Sequence, residues 1–99
     1  MDLEFTRNTD LDRYEAHGEG KLAGLAAYAV EGSEIAFLHT VVQSWAEGKG
    51  VGSALVRHAL DDVRERGDLR VRPICTFVQG FIERNPEYAD LVAAPADEA

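Results

Sequence analysis

Apolar and polar residues alternate along the first half of the chain with the period of two that a β-strand produces. A turn signal follows each stretch, so the pattern predicts four consecutive strands. Their expected ranges are Leu3–Asn8, Asp12–His17, Leu22–Val30 and Glu34–Val42. The third stretch is apolar on both faces, which is typical of a covered strand. Strict alternation in the fourth predicts one face with Ile35, Phe37, His39 and Val41, and another with Ala36, Leu38, Thr40 and Val42.

The hydrophobic period changes in the second half of the chain. An amphipathic helix is predicted there by an i, i+4 row of apolar residues, namely Val51, Leu55, Ala59 and Val63. Gly67 follows two arginines and is expected to end this helix. A short strand near Leu69–Arg72 comes next, and a second helix in Phe77–Arg84 is ended by Asn85-Pro86.

This order of elements predicts an α+β fold. Its sheet would be mostly antiparallel, with two packed helices and one parallel strand. We expect one domain over residues 1–92 and a short acidic tail over residues 93–99 that is flexible.

Composition narrows the class of protein. A chain of 99 residues with a net charge of −8 argues against general affinity for nucleic acid or anionic membranes. It has no apolar run of about 20 residues and no signal-peptide pattern, so we expect a cytoplasmic protein. One cysteine, Cys75, excludes an internal disulfide and a multi-cysteine zinc site, and the three histidines show no metal-ligand spacing. No metal is therefore expected.

Three glycines stand at alternate positions in the segment EGKGVGSAL, between the fourth strand and the first helix. The P-loop pattern fails, because Gln43 and Gly50 stand where glycine and Ser or Thr are required. The dinucleotide fingerprint fails as well, because Ser53 or Leu55 stands where it requires glycine. A glycine loop before a helix can hold a pyrophosphate on backbone N–H groups, with Lys49 and Arg57 adding positive charge. A tight turn without a ligand is the alternative.

Four ordered elements resemble a minimal subgroup of the GNAT superfamily of acyl-CoA-dependent N-acetyltransferases. The resemblance covers about Arg13 to Val92. Four features depart from the superfamily. Glu47 stands where Arg or Gln is usual, and Ser44 stands where many members have proline. The helices between the first two strands and the closing strands after the last helix are missing. The matching elements are His39-Thr40-Val41-Val42, Gly48 to Leu55, Pro73-Ile74-Cys75 and Asn85-Pro86-Glu87-Tyr88.

The resemblance implies a site for acetyl-CoA. The end of the fourth strand would pair with the pantetheine arm, and the amide of Val41 or Val42 would polarise the thioester oxygen. Trp45 either caps the groove or packs against the core. The residues that the resemblance assigns to the cosubstrate are Thr40, Val41, Val42, Gly48, Lys49, Gly50, Val51, Gly52 and Ser53.

Two side chains are candidates for chemistry. Cys75 is expected at the start of the second helix, where the helix dipole lowers a thiol pKa. The resemblance implies that it lies across a cleft from His39 and Thr40. It would carry the acetyl group or line the pocket; the alternative is a small buried hydrophobe. His39 would accept a proton or serve a structural role.

These features together predict an acetyl-CoA-dependent N-acetyltransferase that acts on an unidentified amine. A non-catalytic acyl-CoA binding or sensing module is the alternative. A third reading is an interaction domain that kept the fold and lost the ligand.

Overall fold

The computed structural model describes residues 2–93. The predicted strands and helices are confirmed, with boundaries that shift by one residue in several cases. Residues 94–99 of the predicted tail lie outside the described residues. The elements are β1 (Leu3–Asn8), β2 (Arg13–Gly18), β3 (Lys21–Glu31), β4 (Glu34–Val42), a 3₁₀ turn (Ser44–Ala46), α1 (Val51–Arg66), β5 (Arg70–Pro73), α2 (Thr76–Arg84) and a 3₁₀ segment (Pro86–Leu91).

The five strands form one sheet in the order β1-β2-β3-β4-β5. The first four are antiparallel neighbours, and β5 joins β4 in parallel, as α1 carries the chain back across the sheet. Both helices bury their apolar sides against the same face, in one core that includes Tyr14, Phe37, Leu55 and Phe81. The predicted α+β fold is therefore confirmed.

The other face of the sheet carries no helix among residues 2–93. On β3 itself, Leu25 and Ala27 are only half-buried on this side and Ala29 is exposed, so the expectation that β3 is covered on both faces is wrong. Leu38 and Val41 of β4 are also exposed there. Glu15 is buried on this face because Arg13 and Asn8 hydrogen-bond to its carboxylate at 2.7 and 3.0 Å. We call this surface the open face.

A bulge in β4 changes the faces of the residues that follow it. Tyr28 pairs with Phe37 and Ala27 pairs with His39, so Leu38 is an extra residue. Beyond this point Thr40 pairs with the buried Ala26 and shares the helix-covered face with it. The predicted strict alternation is therefore wrong after Phe37.

The small residues of β3 let α1 approach the sheet closely. A Cβ atom at Gly24 would lie 3.0 Å from the carbonyl oxygen of Val41 and 3.2 Å from Cγ1 of Val51. Ala23 and Ala26 on the same strand are also buried. These contacts hold the start of α1 directly over the ends of β3 and β4.

Candidate active site

The loop before α1 requires glycine at two positions because of its backbone. Gly48 has a φ of +77° and Gly50 a φ of +75°, the left-handed region that side chains disfavour. A Cβ atom at either position would meet nothing within 4 Å. The missing side chains therefore leave open space in front of the loop.

Gly52 is glycine for a different reason. It lies in the first turn of α1, where a Cβ atom would be 2.9 Å from Cζ of Phe77 and 3.4 Å from Cγ2 of Val42. The third glycine of the loop thus accommodates an aromatic ring of α2.

The start of α1 has unused hydrogen-bond donors. The first helical bond joins the Ala54 N–H to the Gly50 oxygen at 3.1 Å, and Gly50 supplies no side-chain cap. Among residues 2–93, the N–H groups of Val51, Gly52 and Ser53 therefore lack a protein acceptor. The first turn also contains no acidic residue, so its dipole is not neutralised.

These N–H groups lie beside a cavity of about 250 Å³. Glu47 is exposed and lines this cavity, and Lys49 is exposed on the same loop. We call the loop, the first turn of α1 and this cavity the glycine cradle. Its lining residues include Val42, Glu47, Gly48, Gly50, Val51, Gly52, Ser53 and Phe77.

A gap opens where β4 and β5 part. Their pairing ends at Phe37 and Pro73, and the Cys75 N–H then donates to the Phe37 oxygen at 2.8 Å. β4 continues to Val42, whereas β5 turns into α2. We call this space the β4–β5 gap.

The backbone of β4 presents hydrogen-bonding groups to the gap. The Gln43 N–H donates to the Ala23 oxygen on the β3 side at 2.8 Å. Because alternate residues of a strand point to opposite edges, Val41 also faces β3, and Thr40 and Val42 face the gap. Of the two amides predicted to polarise a thioester, only that of Val42 faces the gap.

Cys75 lies at this gap as the N-cap residue of α2, as predicted. Its Sγ is 3.6 Å from Oγ1 of Thr40, which confirms the expected proximity of these two residues. Burial raises the pKa of the Cys75 thiol, but the Thr40 hydroxyl and the N–H groups of Val78, Phe77 and Thr40 outweigh that effect. The pKa therefore lies below its ordinary value, although the residue is only 9% exposed.

The structure does not bring His39 to Cys75. His39 is exposed and pairs with Ala27, whereas its neighbour Thr40 pairs with Ala26 and contacts the thiol. The side chains of His39 and Thr40 therefore point to opposite faces of the sheet. The expectation that His39 lies across the cleft from Cys75 is wrong, because the bulge at Leu38 reverses the alternation.

Comparison with protein families assigns the chain. The family model of the GCN5-related N-acetyltransferases matches residues 13–91. The chain belongs to the GCN5-related N-acetyltransferase family. The prediction that it is an N-acetyltransferase is thereby confirmed at the level of the family. No curated protein matches its sequence.

Several solved structures share the fold of this chain. A GCN5-like protein from Staphylococcus aureus, solved by NMR, has a TM-score of 0.69 and 23% identity over 97% of this chain and 93% of its own. A ribosomal-protein-alanine N-acetyltransferase from Brucella melitensis has a TM-score of 0.58 and 19% identity, and the match covers 88% of this chain and 64% of that one. The Escherichia coli ribosomal-protein-S18-alanine N-acetyltransferase has a TM-score of 0.55 and 25% identity. The match covers 60% of this chain and 38% of that one.

The side chains of Arg57 and Trp45 make contacts with other parts of the structure. Arg57 donates to Oδ1 of Asn85 at 3.0 Å and to the Tyr88 hydroxyl at 3.2 Å, so the expectation that it adds charge at the glycine loop is wrong. Trp45 packs against the core, and its Nε1 donates to the Leu22 oxygen at 3.2 Å. This agrees with the packing alternative for Trp45.

Sequence reasoning missed Phe77 as part of the site. Phe77 and Phe81 are four residues apart on the same helix, but Phe81 is 2% exposed and Phe77 is 38% exposed. The available signal was the position of Phe77 in the first turn of α2, two residues after Cys75.

Within residues 2–93, no group of three His, Cys, Asp or Glu side chains could hold a metal ion. The same part of the chain contains no helix long and apolar enough to cross a membrane.

Proposed function

We propose that this chain binds acetyl-CoA and transfers its acetyl group to an amine. One observation carries the proposal: the unpartnered N–H groups at the start of α1 and the Cys75 thiol at the start of α2 both lie beside the end of β4. One end of the site suits an anion, and the other suits a reactive carbonyl.

The residues present fit an acyl-CoA molecule. The open space before Gly48 and Gly50 allows a pyrophosphate to approach the N–H groups of Val51, Gly52 and Ser53, and Lys49 adds positive charge. The amide of Val42 faces the gap, and we assign it as the hydrogen-bond donor to the thioester oxygen. Thr40 and Val41 belong to the part of β4 that lies beside the bound acyl group. Acetyl-CoA supplies the activated acyl group.

We assign Cys75 to the acyl end of the site. Its lowered pKa increases the thiolate fraction at neutral pH, and the thiolate is the nucleophilic form. A Cys75→Ser variant tests this role, because serine has nearly the same size but a far higher pKa. We expect at least a hundredfold loss of transfer, with the affinity for CoA changed less than threefold. An unchanged rate of acetyl transfer would mean that Cys75 only lines the pocket.

The acceptor is proposed only as an amine. Two structural neighbours are named for the alanine of a ribosomal protein, but this chain spans 64% or less of their lengths. His39, on the open face, is kept as a candidate proton acceptor for an amine that arrives from that side. A primary amine with little steric demand is the first class to test.

A non-catalytic acyl-CoA binding module is the second candidate. Two observations favour it: the carboxylate of Glu47 lies at the cradle, and no helix within residues 2–93 covers the open face to wall an acceptor pocket.

An assay of free CoA release with a panel of amines separates the two candidates. Amine-dependent CoA release that is lost in Gly50→Val supports the enzyme. If calorimetry shows that acetyl-CoA binds but no amine in the panel causes release of free CoA, the result supports the binding module. Absence of binding at millimolar acetyl-CoA contradicts both.

A further inference from the structure

We propose that Phe77 positions the acyl-bearing arm of CoA between the glycine cradle and Cys75. The inference rests on the proposed function and assigns a role to a side chain that the family match alone does not single out. Phe77 acts through the shape of its ring, and it takes no part in bond making.

The ring of Phe77 is unusual among the apolar side chains of α2. Val78, Phe81 and Ile82 are buried in the core, whereas Phe77 is directed along the surface towards α1. There its Cζ contacts the first turn of α1 at Gly52, a position that cannot carry a Cβ atom without displacing it. The exposed part of the ring therefore forms one wall of the cavity at the start of α1.

Phe77 also connects the two ends of the proposed site. Its side chain lines the cavity of the glycine cradle, while its backbone N–H faces the sulfur of Cys75. On the sheet below, Val42 touches the same position in α1, and Thr40, two residues earlier, contacts Cys75. A ligand that occupies both the cradle and the gap must therefore pass beside the Phe77 ring.

This arrangement separates two contributions to binding. The cradle binds through backbone N–H groups that the Phe77 ring does not supply. The arm that reaches Cys75 is apolar and flexible in part, so an aromatic wall orders it and excludes water. Loss of the ring should therefore lower the affinity for a ligand that has the arm and leave the affinity for a ligand without the arm unchanged.

The test compares CoA with adenosine diphosphate, which has the pyrophosphate but lacks the arm. Affinities are measured by calorimetry and by the amide shifts of Val51 to Ser53 for wild type, Phe77→Ala, Phe77→Leu and Ile74→Ala. Ile74 is the matched control, because it is 56% exposed and also lies within two residues of Cys75. We expect Phe77→Ala to weaken CoA binding about tenfold and adenosine diphosphate binding less than twofold. Phe77→Leu should recover most of the loss, and Ile74→Ala should match wild type.

A second readout uses the protein without ligand. If the ring walls off the thiol, alkylation of Cys75 by iodoacetamide should be several-fold faster in Phe77→Ala than in Ile74→Ala, with thermal unfolding of both near wild type.

Three results would overturn the inference. Equal weakening of both ligands in Phe77→Ala would assign the ring to the structure of the cradle. Unchanged CoA affinity, with wild type binding normally, would reject the role of Phe77 and leave the proposed function intact. No CoA binding by folded wild type would reject the proposed function together with this inference.

Discussion

The starts of α1 and α2 lie on the same face of the sheet and are built alike, but their N–H groups face different surroundings. Neither has a side-chain cap hydrogen bond, and neither has an acidic residue in its first turn. At α1 the cap residue is Gly50, and the N–H groups face an open cavity. At α2 the cap residue is Cys75, whose own sulfur faces the N–H groups of Phe77 and Val78.

The difference shows that the positive end of a helix can act on an external group or on a side chain of the protein itself. A helix start favours negative charge, whether it comes from outside or from the chain itself. Bare backbone at α1 leaves room for an external anion, which would allow a chain with a net charge of −8 to hold the phosphate groups of the proposed ligand. The thiol at α2 uses the same field to favour its thiolate form.

The largest expected effect on acetyl-CoA binding comes from a side chain that fills the space at the start of α1. Gly50→Val places a branched side chain at a φ of +75°, in front of the N–H groups, and should abolish detectable acetyl-CoA binding by calorimetry. The matched control is Gly20→Val, which has the same φ of +75° and equally open surroundings in the β2–β3 turn. Both variants should lose about 1–2 kcal/mol of stability from left-handed strain. Equal affinity in the two variants would show that α1 does not hold the ligand.

A smaller effect is expected at the start of α2. Thr40→Val removes the hydroxyl that helps to lower the pKa of Cys75. The pKa should rise, and below the pKa each unit of rise reduces the thiolate fraction tenfold, so alkylation at pH 7 should slow by about three- to tenfold. The pH–rate profile should shift to higher pH, while Thr6→Val on the exposed part of β1 should leave it unchanged. A shift to lower pH, or none, would contradict the role given to Thr40.

The smallest effect concerns the charge at the cradle. Glu47→Gln removes a carboxylate that lines the cavity and should tighten acetyl-CoA binding by up to about 1 kcal/mol, or fivefold, at low salt. The gain should shrink at high salt because exposed charges are screened. Glu31→Gln, at the far end of β3, is the control. Weaker binding in Glu47→Gln would mean that the carboxylate assists the ligand.

The two helix starts also differ in how far the sequence predicts them. The start of α1 is encoded locally: Gly48 and Gly50 follow a strand and precede an amphipathic row, so a glycine loop with free N–H groups follows from the pattern. Cys75 at the start of α2 is predicted for the same reason, since the strand and helix signals on either side of it are local.

The contacts around Cys75 depend on distant parts of the chain. The bulge at Leu38 arises from the pairing of β4 with β3, and no signal within the alternating β4 sequence indicates it. It decides that Thr40, and not His39, meets the thiol. The exposed ring of Phe77 likewise depends on Gly52, which is far from it in sequence.

The central claim is that one acyl-CoA molecule bridges the two helix starts. An amide-resolved NMR titration of the 99-residue chain with acetyl-CoA tests it most directly. The account predicts large shifts for the amides of Val51, Gly52 and Ser53 and, at the same ligand concentrations, for those of Phe77 and Val78, with Gly20 and Gly32 unmoved. Shifts at α1 alone would place the acyl end elsewhere, and no shifts at either helix start at millimolar acetyl-CoA would contradict the account.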